Sequence, residues 1–168
     1  METAVPPANP IWDRAHDHQH CIDDALDNAA RLCTGRGARL TRLRRRVLEL
    51  VWGSHRPIGA YALLDSLRAG SGRAAPATIY RALEFLLAQG LVHRIESRNA
   101  YIGCSGPEAR HGGQFLICRD CGEAVELNDP RISSAIGERA EAAGFQWLGQ
   151  MIEVVGLCPG CRQGAANG

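Results

Sequence analysis

Lysine is absent from these 168 residues: all 19 basic side chains are arginine, set against 18 aspartates and glutamates, for a net charge of +1. That absence decides little about partners, because wholesale lysine loss can equally follow genomic base composition. What arginine offers is a planar five-donor fork suited to phosphate and guanine. Long apolar runs are missing too. Nothing approaches the roughly 20 apolar residues of a membrane span, and the acidic, histidine-rich N-terminus lacks the charged-then-apolar pattern of a secretory leader. The expectation is a soluble, cytoplasmic protein with no membrane partner. No glycine-rich phosphate loop, HExxH motif or nucleophile–base pair is present, so the chain is expected to be no enzyme and to have no small-molecule substrate.

What the chain does have is segregated charge. Residues 1–30 carry Arg14 against six acids, a net −5, whereas residues 31–102 carry 13 arginines against Glu49, Asp65, Glu84 and Glu96, a net +9. Residues 103–168 return to −3. A basic block between acidic ones is the footprint of a nucleic-acid-binding module attached to a part with another job.

The basic block reads as a winged helix-turn-helix. Ile22, Ala25, Leu26, Ala29, Leu32 and Cys33 recur at helical spacing from Asp17 to Cys33, and Thr34-Gly35-Arg36-Gly37 ends that helix. Thr41 is a plausible N-cap for a second helix through Trp52, and a third runs from about Gly59 to Arg68. The fourth begins at Pro76 and stops at Gly90, with Ile79, Leu83, Leu86 and Leu87 on one side and Ala77, Tyr80, Arg81 and Glu84 on the other. Leu91–Glu96 and Ala100–Ile102 then read as a hairpin. Beyond a Gly, Ser and Pro-rich stretch, strands are expected near Gln114–Cys118, Ala124–Leu127 and Trp147–Leu157, with a helix over Pro130–Ala143. The fold class is α+β, divided as a flexible arm (1–16), a winged-helix DNA-binding domain (17–102), a hinge (103–113), a small second α/β domain (114–162) and a tail (163–168).

Four of the seven cysteines stand in two Cys-x-x-Cys pairs, Cys118/Cys121 and Cys158/Cys161. Two residues between cysteines let a tight turn aim both thiolates at one ion, and two such knuckles complete a tetrahedral Zn²⁺ site. A thioredoxin-type redox motif would need one pair at a strand-to-helix turn. The 36 intervening residues hold a helix and a strand, so the ion would staple the two ends of the second domain. The densest cluster of ligand-type residues lies elsewhere, in His16-Asp17-His18-Gln19-His20-Cys21. There His16 and His20, at i and i+4, could face one ion, but the expectation is a polar, frayed first turn. Other donors are scattered: His93 on the first wing strand, Cys104 beyond the second, His111 in the hinge, and Glu126 on a later strand with Asp120, Glu123 and Asp129 as acidic competitors. Spacing alone does not join them.

Several runs, in order, resemble the ferric uptake regulator family of metal-sensing repressors: Arg39-Leu40-Thr41 with Arg44 and Val47-Leu48, Ala75-Pro76-Ala77-Thr78-Ile79-Tyr80-Arg81-Ala82-Leu83, Leu91-Val92-His93-Arg94-Ile95-Glu96-Ser97, Ile117-Cys118-Arg119-Asp120-Cys121-Gly122 and Gly156-Leu157-Cys158-Pro159-Gly160-Cys161. Iron and peroxide sensors of that family carry a His-His-Asp-His type of motif before the first knuckle and histidines after it. Here the place reads His111-Gly112-Gly113-Gln114-Phe115, and no histidine follows. The resemblance is therefore to the zinc uptake regulator branch. It implies a zinc-responsive repressor of zinc-uptake and homeostasis genes that binds double-stranded operator DNA as a homodimer paired through the second domain. It also implies two Zn²⁺ per subunit, one structural at the four cysteines and one regulatory at His93, Cys104, His111 and Glu126. On the DNA side Tyr61, Thr78, Tyr80 and Arg81 are implied contacts, and Arg36, Arg39, Arg42, Arg44 and Arg45 would mainly touch phosphate. The alternatives are an iron or peroxide sensor of the same family, or, from another class, a zinc-ribbon redox or hydrolytic enzyme.

Overall fold

The computed structural model of the protein describes residues 18–71, 74–108 and 112–165. The first helix, α1 (His18–Gly35), buries Ile22, Leu26, Ala29 and Cys33, a strict i, i+4, i+7, i+11 stripe. It runs two residues past the expected Cys33 stop, and Gly37, at a φ of +66°, turns the chain away. Helix α2 (Arg42–Trp52) starts where expected: the Thr41 hydroxyl accepts from the Arg44 N–H at 3.4 Å, satisfying one open donor of the first turn. A two-residue strand, β1 (Ile58–Gly59), precedes α3 (Ala60–Ser71). Arg68 turns its Nε to the Ala74 carbonyl at 3.1 Å, so the intrahelical Asp65–Arg68 pair that i, i+3 spacing suggests is not formed.

Helix α4 (Pro76–Ala88) opens with Pro76 in its first turn. At its other end the Gly90 N–H donates to the Leu87 carbonyl and the Leu91 N–H to the Leu86 carbonyl, both at 2.9 Å, with Gly90 at a φ of +67°. This is a Schellman stop, which glycine enters without a Cβ penalty. Strands β2 (Val92–Ile95) and β3 (Ala100–Gly103) follow, joined by a one-turn 3₁₀ helix (Glu96–Arg98) and by Asn99 in the left-handed region. They pair antiparallel, with His93 opposite Ile102 and Ile95 opposite Ala100, while β1 covers the other edge of β3. The four helices, Leu91, Val92 and Tyr101 share the larger hydrophobic core.

The second sheet comprises β4 (Gly113–Cys118), β5 (Ala124–Glu126) and β6 (Met151–Gly156) in the order β5-β4-β6, with α5 (Pro130–Ala142) crossing between β5 and β6. Strands β4 and β5 are antiparallel, whereas β4 and β6 are parallel, which requires a crossover such as α5. Two expectations need correction here. The last strand begins at Met151 and not at Trp147, and residues 163–165, expected in a tail, continue a short helix, α6 (Pro159–Ala165), that starts inside the second knuckle.

Strand periodicity then dictates how the halves meet. On β2, His93 and Ile95 share a face, and on β3 Ala100 and Ile102 do. On β4, Phe115 and Ile117 share a face with their β5 partners Glu126 and Ala124 and with Glu153 of β6. These two faces pack together: Ile95, Ile102, Phe115, Ile117 and Ala124 form a second buried core. Full burial of each large side chain there contributes about 1.5–3 kcal/mol. Wing and second sheet are thus a two-layer sandwich, and any polar residue on its inner faces must find a partner across it. No helix among the described residues is long and apolar enough to cross a membrane.

Candidate metal centres

Two groups of potential metal donors come together among the described residues. The first is Cys118, Cys121, Cys158 and Cys161, whose sulfurs all lie within 4.8 Å of one another. Cys118 ends β4, Cys121 sits in the turn closed by Gly122 at a φ of +77°, and Cys158 and Cys161 flank the first turn of α6. The Cys158 N–H points at the Cys118 sulfur and the Cys161 N–H at the Cys158 sulfur, each at 3.4 Å. Backbone donors from Cys158 and Cys121 bring the Cys118 thiol down to about 6. Burial raises Cys121, and the neighbouring Cys158 sulfur followed by burial pushes Cys161 up to about 12. Four sulfurs so close cannot all ionise without a cation to offset them. A tetrahedral zinc with Zn–S bonds of about 2.3 Å has S···S edges of about 3.8 Å. The Cys121 and Cys158 sulfurs stand 3.8 Å apart, so spacing and donor chemistry fit zinc.

The second group is His93, Cys104 and Glu126, on β2, just after β3 and at the end of β5. His93 Nε2 lies 3.0 Å from Glu126 Oε1, and both side chains are largely buried. Cys104 is buried and its N–H donates to the Leu91 carbonyl at 3.0 Å, which fixes the chain after β3 beside the start of β2. The His93 ring meets Phe115 edge-on with centroids 5.2 Å apart. Burial and then the Glu126 carboxylate push the Cys104 thiol up to about 12. For Glu126 itself burial acts upward, but hydrogen bonds from His93 and from the Ser105 N–H and hydroxyl outweigh it and hold the carboxyl down at about 2. The set is one imidazole, one thiol and one carboxylate, a borderline-soft N, S, O combination that suits a tetrahedral zinc with one further ligand.

Glu126 is the acid that the fold selects. Asp129 caps α5, accepting from the Arg131 N–H at 2.9 Å, and Asp120 pairs with Arg119. Glu126 Oε2 accepts from the Ser105 N–H at 2.8 Å and its hydroxyl at 2.7 Å, while Asn128 donates to that hydroxyl at 3.1 Å. Ser105 therefore orients the carboxylate so that Oε1 faces His93. Sequence reasoning did not find Ser105; its only signal is adjacency to Cys104. His111, the fourth expected donor, lies outside the described residues, as does His16. The described members of the N-terminal cluster, His18, His20 and Cys21, join no group of three donors. His20 pairs with Asp24 at 3.3 Å, and the His18 ring sits 4.5 Å from that of His55.

The sequence pattern of the ferric uptake regulator family matches residues 35–155. The chain belongs to the ferric uptake regulator family. Within it, the zinc uptake regulation protein of Escherichia coli is 38% identical over 139 residues, covering 82% of this chain and 81% of that one. A structure described as a zinc uptake regulator complexed with zinc and DNA superposes with a TM-score of 0.82 at 37% identity, covering 86% of this chain and 97% of the other. The holo form of XcZur matches at 0.78 and 44% identity, covering 84% and 99%, while its apo form matches at 0.50. The arrangement of this chain is thus nearer the holo form.

For a family of regulators the helical half is the second place of interest. Ala77, Tyr80, Arg81 and Glu84 are exposed along α4, Tyr80 at 42%, while Thr78 is half-buried. Tyr61 on α3 is 71% exposed, and Arg39 and Arg42 are exposed where α2 begins. Arg44, expected on phosphate, is also engaged within the fold. Its guanidinium lies 3.6 Å over the Phe85 ring, joining α2 to α4, and Nη1 donates to the Arg39 carbonyl at 2.7 Å, holding the segment that leads into α2. Arg36 is likewise used internally, donating to the Gln89 carbonyl at 2.6 Å and the Pro107 carbonyl at 3.1 Å. Arg45 donates to the Leu26 carbonyl and pairs with Asp27.

Proposed function

We propose that the chain is a zinc-responsive transcriptional repressor, a regulator and not an enzyme, that binds operator DNA as a zinc-loaded homodimer and controls zinc-uptake and homeostasis genes. The observation that carries this reading is the convergence of His93, Cys104 and Glu126 at one edge of the sandwich between wing and second sheet. Donors contributed by both layers favour the arrangement that brings them together, and only such a difference in affinity can shift a population of conformers. Relatives point the same way: zinc uptake regulation proteins of Escherichia coli and Mycobacterium tuberculosis are 38% and 31% identical. An iron or peroxide sensor is not favoured, because a thiol replaces hard donors and no histidine follows His111.

In this reading each subunit takes two Zn²⁺. Cys118, Cys121, Cys158 and Cys161 hold the structural ion; His93, Cys104 and Glu126, with His111 as the fourth ligand, hold the regulatory one. Bound zinc supplies a dication that offsets the buried thiolate and carboxylate. Residues 17–102 read DNA, 103–113 act as the hinge, and 114–162 pair the subunits. Met151, Val154 and Val155 on the edge strand β6, with Ile136, Phe145, Trp147 and Leu148, leave an apolar surface for a second copy. Tyr80 and Arg81 on α4 reach base edges, with Tyr61 and Thr78 beside them and Arg39 on phosphate. Two copies related by a two-fold axis would place their α4 helices on half-sites about one helical turn apart.

The experiment is DNA binding measured against buffered free Zn²⁺ and, separately, Fe²⁺, for wild type and Cys104→Ala. Zinc should switch binding on in the wild type at far lower free metal than iron does, and Cys104→Ala should lose the zinc response while keeping one zinc per subunit. Equal binding with and without the second zinc would overturn the reading.

A further inference from the structure

At the opposite edge of the sandwich from His93, Cys104 and Glu126 stands a second polar contact that uses no metal donor. Glu153 is on β6, paired with Phe115, and so faces the wing across the small core. Its Oε1 accepts from the Glu96 N–H at 2.7 Å and its Oε2 from the Ser97 N–H at 3.2 Å. Those two groups open the one-turn helix that joins the wing strands, and Ile95 before it has no side-chain cap of its own. Hydrogen bonds from Ser97 and Glu96 offset the upward effect of burial and hold the Glu153 carboxyl below its ordinary range. The same turn is held a second time, where Arg98 Nη2 donates to the Cys118 carbonyl at 3.3 Å. β5 and β6 flank β4 on opposite sides, so the metal donors and Glu153 grip opposite edges of one interface.

We propose that Glu153 is a positioning residue for DNA recognition: its carboxylate clasps the Glu96–Arg98 turn and fixes the wing on the second sheet independently of the regulatory metal. The proposal rests on the repressor reading above and deepens it. With only the β5 edge closed by metal, the wing could still pivot about that edge, and α4, which leads directly into β2, would pivot with it. With both edges held the angle is set. Glu153 also lies on the strand with the exposed Val154 and Val155, so subunit pairing there would hold the strand that holds the wing. A hydrogen bond to a charged group counts for more than a neutral one, and here one half-buried carboxylate makes two, to adjacent backbone donors.

The test uses full-length protein, a duplex selected from random DNA by the zinc-loaded wild type, and the variants Glu153→Gln and Glu153→Asp. Glu153→Gln keeps size and shape but turns an amide NH₂ toward one of the two backbone donors. In zinc-saturated, dimeric protein with unchanged structural zinc, Glu153→Gln should weaken DNA binding by roughly tenfold. Amide exchange at Glu96 and Ser97 should speed up by a similar factor, and Glu153→Asp should recover part of both effects. Affinity within twofold of wild type would overturn the proposal, whether or not the two amides exchange faster. A wild type that binds DNA without needing zinc would instead sink the repressor reading, and the variant-to-wild-type ratio would still decide the role of Glu153.

Discussion

Gly103 has no room for a side chain, and the consequence reaches the cluster of His93, Cys104 and Glu126. A Cβ there would fall 2.3 Å from Cε2 and 2.4 Å from Nε1 of Trp52, distances at which the indole or the strand must move. Trp52 ends α2 and is half-buried against the main core, while Gly103 pairs with Val92 and directly precedes Cys104. A rigid ring cannot yield as a flexible chain end would, so Gly103→Ala must displace β3 or expel the indole. Overpacking of this kind costs about 1–3 kcal/mol. For a chain of this length each kcal/mol lowers the melting temperature by about 2–4 °C, so a drop of about 4–8 °C is expected for about 2 kcal/mol. Because the strand leads directly into Cys104, zinc affinity at His93, Cys104 and Glu126 should fall at the same time, whereas the four-cysteine site should keep its metal. Calorimetric melting and a competition titration with a zinc chelator read both quantities. Trp52→Leu in the Gly103→Ala background removes the clash and should return most of the zinc affinity, with a smaller return in stability because the indole's own packing is lost. An unchanged melting temperature together with unchanged zinc affinity for Gly103→Ala would show that the contact does not constrain the site.

Three further outcomes follow from individual contacts. Ser105→Ala removes both the hydroxyl that holds Glu126 Oε2 and the link to Asn128, and should weaken regulatory zinc by about 10–100-fold in a chelator competition while leaving the fold intact. Cys118→Ala should cost one zinc per subunit by elemental analysis and lower thermal stability sharply, since an ion held by the four cysteines would join the end of β4 to α6; an unchanged zinc count would remove the structural assignment. Arg81→Ala, on the exposed face of α4, should weaken selected-site DNA binding by about 1–3 kcal/mol and relax specificity at one base pair, whereas Arg44→Ala, whose guanidinium covers Phe85, should act mainly on melting temperature.

The features legible in the sequence are those fixed by neighbours along the chain. Thr41 as an N-cap, Pro76 in a first turn, Gly90 at a helix stop and the two Cys-x-x-Cys turns each express a local steric or hydrogen-bonding requirement. Strand β1 was missed because two residues carry no periodicity, and its place is set by pairing with Tyr101 and Ala100 far along the chain. The start of β6 was set too early because Trp147 and Leu148 look like strand residues; Leu148 is in fact 90% exposed, outside the ladder. His93, Cys104 and Glu126 illustrate the remaining gap. Their alternation within β2 and β5 tells which residues share a face, but their meeting depends on two sheets packing face to face, which no local signal encodes. Family resemblance supplied that juxtaposition. It did not supply Ser105 or Glu153, which act through hydrogen bonds to the backbone across the interface, nor the internal use of Arg36 and Arg44.

The most direct measurement compares DNA affinity for the same dimer carrying one zinc per subunit, at the four cysteines, and carrying two. Filling the site at His93, Cys104 and Glu126 should raise affinity for the selected duplex at least tenfold at fixed salt, and Cys104→Ala should show no such gain. If the one-zinc and two-zinc proteins bind the duplex alike, joining the wing to the second sheet through those donors does not control DNA binding.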